Sequence, residues 1–187
     1  MTYTGDRIYI RFFEVSDAEA LLSLHQRNRE FFQAFTPLRE ESYYTLDKQI
    51  LNIHNWDEDR KKGTKFNFGI FLNETDELIG DISLFEVVRG ALQKAMIGYS
   101  LDAAHNGKGY MSEAAKLVVR YAFEHEKLHR LEAGVKPSNG GSLRILEKAG
   151  FQREGIARKN VKINDVWEDH VMLSILYEDL YTEPREA

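Results

Sequence analysis

The segment Asn106-Gly107-Lys108-Gly109-Tyr110-Met111-Ser112-Glu113-Ala114 joins residues that read as strand to residues that read as helix, and its composition suits an anion. A helix start offers backbone amides with no partner inside the helix and about half a positive charge from the aligned peptide dipoles. Gly107 and Gly109 let the backbone come close to a pyrophosphate, and Lys108 adds a countercharge. A tight strand-to-helix turn would call for glycine too, so the pair alone leaves both readings open. Two nucleotide motifs fail on these residues. A Walker-type loop needs glycine five positions before Gly107, where Asp102 stands. A dinucleotide fingerprint needs a third glycine at Ser112 and belongs in the first strand-helix unit of a parallel sheet. His125-Glu126-Lys127-Leu128-His129 matches the spacing that sets two zinc ligands on one helical face with a glutamate base between them. The apolar helical pattern ends at about Phe123 to Glu126, however, so His129 is expected in a turn. A histidine near a helix C-terminus is favourable for its charge alone.

These segments need a frame to hold them. Arg7 to Phe13 is β-branched and aromatic and predicts a strand. Ser16-Asp17-Ala18-Glu19 has capping-box spacing and predicts a helix from Ser16 to about Arg29. Leu46, Ile50 and Ile53 predict a second helix closed at Gly63. Phe66 to Leu72 and Leu78 to Leu84 predict a hairpin, whose turn contains the formal sequon Asn73-Glu74-Thr75. A third extended run spans Ala95 to Leu101. After it come a helix from Met111 to about Glu126, a strand from Arg130 to Val135, and a helix from Asn139 to Ala149 closed by Gly150-Phe151. Two strands follow, near Phe151 to Val161 and Val166 to Leu176. The order is α+β, an antiparallel meander followed by strand-helix-strand.

No linker or repeat interrupts the 187 residues, and the prolines are scattered at 37, 137 and 184, so one domain over 1–187 is expected, with its core at about 7–176. Hydrophobic residues at 43% and charged residues at 29% are close to the globular average and disfavour disordered, collagen-like and coiled-coil chains. The start carries no signal-peptide pattern, which reads as cytoplasmic. A net charge of −5 argues against general binding to nucleic acid or to an anionic membrane. The sequence has no cysteine, which excludes disulfides, thiolate metal sites and acyl-cysteine chemistry.

Set beside Asn139-Gly140-Gly141-Ser142-Leu143-Arg144-Ile145-Leu146-Glu147-Lys148-Ala149-Gly150-Phe151, the glycine-rich segment resembles the motif pair of the GNAT acetyltransferases. The likeness is to the branch that acetylates the N-terminal amines of ribosomal proteins. Leu78-Ile79-Gly80-Asp81-Ile82, Ile97-Gly98-Tyr99, His129-Arg130-Leu131-Glu132-Ala133 and Trp167-Glu168-Asp169 extend it from about Arg7 to Leu176. The resemblance implies a GNAT fold with a central mixed, mostly antiparallel sheet of about seven strands flanked by helices. It implies acetyl-CoA as co-substrate and no metal. The pantetheine would lie in a gap between the strand ending at Leu101 and the strand Arg130 to Val135, bonding to backbone near Tyr99 and Leu101. The pyrophosphate would lie on Asn106, Gly107, Lys108, Gly109, Tyr110, Met111 and Ser112, with Asn139 holding the arm and Lys148 in reach of the phosphates.

The implied chemistry is attack by a neutral amine on the thioester, with backbone amides at the oxyanion, a base for the ammonium proton and an acid for the thiolate. The position where the wider family often has a tyrosine acid is Leu146, and Ser142 matches the serine of the ribosomal-protein branch as thiol-facing donor. Met96 stands where that branch often has a glutamate, which leaves Glu154, Glu132, Asp169 or a chain of waters as candidate bases, or the neutral fraction of amine already present in solution. The acceptor pocket would involve Phe31 to Thr36, although buried-phenylalanine base rates favour packing for that aromatic run. The acceptor implied is a protein N-terminus. A small amine such as a polyamine, aminoglycoside or amino acid is the alternative, as is a CoA-binding module without catalysis, given Met96 and Leu146. The resemblance also implies a homodimer or a larger homo-oligomer.

Overall fold

The computed structural model describes residues 1–181; Pro184 lies outside them. Eight strands form one sheet in the order β1-β2-β3-β4-β5-β6-β8-β7. They are β1 (Thr2–Thr4), β2 (Ile8–Phe12), β3 (Phe66–Leu72), β4 (Leu78–Val88), β5 (Lys94–Leu101), β6 (Arg130–Val135), β7 (Gln152–Ile163) and β8 (Val166–Leu176). Every neighbouring pair is antiparallel except β5 and β6. The sheet therefore has the mixed, mostly antiparallel character expected, with eight strands instead of about seven. The extra one, β1, is three residues long, too short for a two-residue alternation to declare itself.

Five α-helices flank the sheet: α1 (Ala18–Arg27), α2 (Arg29–Gln33), α3 (Leu46–Lys62), α4 (Tyr110–Glu124) and α5 (Gly140–Lys148). On one face α4 and α5 bury Met111, Leu117, Val118, Phe123, Leu143 and Leu146 against Ile10, Phe68, Ile82 and Ile97. On the other, Leu21, Leu24 and Ile53 from α1 and α3 close on Phe13, Phe71 and Leu78. Fully burying one such side chain contributes about 1.5–3 kcal/mol, so the two apolar layers clamp the sheet from both sides. Among the described residues no helix is long and apolar enough to cross a membrane.

Three local expectations change. The first helix starts at Ala18, because Asp17 instead of Ser16 organises its entry: the Asp17 carboxylate accepts from the Glu14 amide at 2.8 Å and from Arg11 at 2.7 Å. The same helix stops at Arg27 instead of Arg29. Buried Asn28 donates to the Leu24 carbonyl at 3.0 Å and accepts from the Ala103 amide at 2.9 Å, tying the chain to the end of β5 and restarting it as α2. The H-E-x-x-H register is lost, as expected: α4 ends at Glu124, Lys127 takes φ 54°, and His129 contacts Glu178 while His125 stacks on Tyr121. The helix α5 ends in the six-to-one and five-to-two bonds of a Schellman turn, Phe151 N to Leu146 O at 3.0 Å and Gly150 N to Glu147 O at 3.1 Å.

Candidate active site

The only parallel pairing among the described residues joins Lys94 to Arg130, Ala95 to Leu131 and Met96 to Glu132. Past those three pairs β5 stays with β4 as far as Leu101, while β6 stays with β8 as far as Val135, so the two strands part. The crossover through α4 makes them parallel, and nothing in the ladder holds their C-terminal ends together. A cavity of about 540 Å³ opens beside the C-terminal end of β5, bounded by that strand, the turn into α4, the first turns of α5 and the segment from Phe31 to Thr36. Ten of the twelve expected site residues line it: Tyr99, Leu101, Asn106, Gly107, Gly109, Met111, Ser112, Asn139, Ser142 and Lys148.

At one end lies the turn into α4. Gly107 and Gly109 have φ 77° and 86°, a region that costs other residues about 1–2 kcal/mol. Gly109 is the N-cap and brings no capping side chain, so the first-turn amides of Tyr110, Met111 and Ser112 keep their donors free for a ligand. The turn is braced from outside. Glu113 accepts from the Arg7 amide at 2.9 Å and from the Arg7 Nε at 3.2 Å, and Arg7 Nη1 donates to the Lys108 carbonyl at 2.7 Å. Glu113 thus anchors the loop. Lys108 and Tyr110 are the two expected residues not lining the cavity; Tyr110 lies under the Arg7 guanidinium, 5.0 Å away.

In the middle, the Asn139 side chain accepts from the Ser142 amide at 3.1 Å and so starts α5. Ser142 Oγ is then 2.7 Å from the Tyr99 hydroxyl. Burial pushes the Tyr99 phenol up to about 12 against the opposing effect of its bond to Ser142, so it holds its proton throughout the neutral range. Leu146 is fully buried in the core. Arg144 lines the cavity with Lys148, one helical turn apart on α5. A pair of cations at four-residue spacing just after Asn139 was the signal available for Arg144.

At the other end the aromatic run departs from the packing expected of it. Phe31, Phe32, Phe35 and Thr36 line the cavity, and Phe31 and Phe35 are each 41% exposed. The short helix α2 buries none of its residues, so its rings face the opening.

The expected carboxylates are committed elsewhere. Burial pushes Glu132 up, but hydrogen bonds from Arg130 at 2.7 Å and Lys94 at 2.9 Å outweigh it and hold the group below its ordinary value. Hydrogen bonds from Arg130 at 3.0 Å and Ser174 at 2.8 Å hold Glu154 low as well. Asp169 accepts from the Lys159 amide at 2.8 Å on the exposed outer hairpin.

A sheet parted after one short parallel pairing, with free helix amides at one side of the parting, defines the acyl-CoA-transferring class of folds, and the family comparison agrees. The model of the acetyltransferase (GNAT) domain matches residues 7–152, and the chain belongs to the GNAT acetyltransferase family. A probable N-acetyltransferase of Bacillus subtilis, YjcK, is 57% identical over 94% of this chain and 97% of its own. The crystal structure of ribosomal-protein-S5-alanine acetyltransferase from Vibrio fischeri superposes with a TM-score of 0.90 at 28% identity, covering 97% of this chain and 99% of that one. RimJ of Mycobacterium smegmatis, solved in complex with CoA-disulfide, gives 0.87 at 24% identity, over 92% and 83%.

Proposed function

We propose that the protein transfers acetyl from acetyl-CoA to the N-terminal α-amine of a protein, with ribosomal proteins as the acceptor class. The observation that carries this is one cavity beside the end of β5, lined together by the start of α4, the Tyr99–Ser142 hydroxyl pair and the rings of Phe31, Phe32 and Phe35. A donor and an acceptor can meet there from opposite sides, and holding both in register can remove several kcal/mol from the barrier. The names of the relatives support the acceptor class.

Acetyl-CoA, when bound, supplies an acetyl group already activated as a thioester. The residues present fit such a molecule: the amides of Gly107 to Ser112, with Lys148 and Arg144, suit its phosphates, and the open backbone edge from Tyr99 to Leu101 suits its amide-bearing arm. Asn139 fixes the start of α5 and hence the Ser142 hydroxyl, which holds the proton due to the leaving sulfur. Tyr99, protonated to about 12, hydrogen-bonds Ser142 and orients it. The chain works as one cytoplasmic domain.

The test is CoA release with peptides bearing Ser or Ala N-termini, set against polyamines, aminoglycosides and amino acids. Turnover on the peptides, abolished by blocking their N-termini, is expected. Rapid small-amine turnover with none on any peptide would replace the protein acceptor by a small one. Tight CoA binding with no acceptor at all would make the protein a binding module.

A further inference from the structure

Met96 removes the acid-base side chain from the place where Ile97-Gly98-Tyr99 begins, and Glu132, Glu154 and Asp169 are engaged elsewhere. The opposite face of β5 carries a different carboxylate. Successive strand residues point to opposite faces, so Tyr99 turns toward Ser142 and α5 while Ser100 turns the other way. Both residues nonetheless line the same cavity. Ser100 pairs in register with Asp81 of β4, and its hydroxyl donates to Asp81 Oδ1. Asp81 itself does not line the cavity, so it reaches the cavity only through Ser100. Burial pushes the Asp81 carboxyl up, opposed by the Ser100 hydrogen bond and by the positive charges of Arg39 and Lys65. On the same face, the next pair along is Ser83 opposite Asn67 of β3, whose Oδ1 is buried and has no hydrogen-bond partner among the described residues. Of this polar row only Ser100 lines the cavity, and its hydroxyl oxygen, donating to Asp81, keeps lone pairs that can accept from a cationic ammonium group.

We infer that Ser100 and Asp81 form the proton relay that deprotonates the acceptor amine. An N–H bond of the ammonium breaks and its proton goes to Ser100 Oγ, while the Ser100 hydroxyl proton passes to Asp81 Oδ1. The amine keeps its electron pair for attack, and the Asp81 carboxylic acid later returns the proton to water. No oxidant or other co-reactant is involved. Asp81 acts through Ser100 and is a positioning and proton-holding residue, whereas Ser100 is the group that touches the substrate. The assignment rests on the amine-acetylation reading and adds to it the residues that make the amine reactive.

The test compares Asp81→Asn, Ser100→Ala and Ser100→Thr with the native chain, using the best peptide acceptor and following kcat and kcat/KM from pH 5 to 9. Asp81→Asn preserves shape and the Ser100 contact, so the fold is expected to persist. Its kcat is expected to fall about 100-fold, with the KM for acetyl-CoA within about threefold and the acidic limb of the native profile flattened. Ser100→Ala should match it, and Ser100→Thr, which restores a hydroxyl, should recover most of the rate. Native-like rates and an unchanged acidic limb in Asp81→Asn would overturn the relay while leaving amine acetylation intact. A native protein inert toward every peptide and small amine would overturn both.

Discussion

The two halves of the cavity are built on different terms. The half proposed for the donor is backbone: a strand edge, glycines at positive φ and helix amides, with the turn into α4 braced by the remote pair Arg7 and Glu113. The half proposed for the acceptor is side chain, with Phe31 and Phe32 on a helix that buries nothing, Phe35 just beyond it, and Ser100 bonded to Asp81 on the neighbouring strands. Backbone geometry leaves a spaced signature because only some residues tolerate it. Side chains that merely face an opening leave none, since the same phenylalanines could pack a core. The contrast suggests a donor site common to the fold beside an acceptor site particular to this chain.

That contrast can be broken by experiment, and the largest effect should come from the acceptor side. His25 of α1 is buried against Phe32 and Tyr43, with its imidazole pushed down to about 3 by burial and by the charge of Arg39. Unfolded, it would have the ordinary 6.5, so between about 6.5 and 3 the unfolded chain binds the extra proton. Stability is therefore full above about pH 6.5 and drains as pH falls through that window, by about 3 kcal/mol near pH 4. Denaturant midpoints should show this slope, and His25→Gln should flatten it. An equal slope in the variant would assign acid lability to other groups.

Next, Ser142→Ala should lower kcat about 100-fold and change donor affinity less than threefold, as measured by steady-state kinetics beside calorimetric CoA titration. A matched loss in both would make Ser142 a binding residue. Gly107→Val should do the reverse. No atom crowds a Cβ at Gly107, so the cost is the backbone strain of φ 77°, about tenfold in CoA affinity with the peptide KM unaltered. Smallest of all, Arg144→Ala and Lys148→Ala should each weaken CoA binding about threefold, an effect that shrinks in high salt because both cations are exposed. A loss that persists in high salt would mean packing and not charge.

What was legible follows the same line. The strand Arg130 to Val135 and the helix from Met111 are readable because alternation and helical periodicity are strong there, and Gly107, Gly109, Asn139 and Ser142 because the backbone or a cap demands those types. Asp81 was in view within Leu78-Ile79-Gly80-Asp81-Ile82 yet carried no sign of its role, since its importance comes from a cross-strand partner nineteen positions away. Glu113 was hidden likewise, its partner Arg7 lying 106 residues back. Pairings across such distances are set by topology, which a local pattern does not encode.

At one border of the sheet β1 is only three residues long; at the other, β7 is twelve residues, twice broken in register, and carries Arg153, Arg158, Lys159 and Lys162. A brief border and a kinked, cationic one both discourage a stray chain from adding itself as a ninth strand. The molecule thus guards its flanks against β-templating, and an extended chain gains little hold at either rim of the sheet.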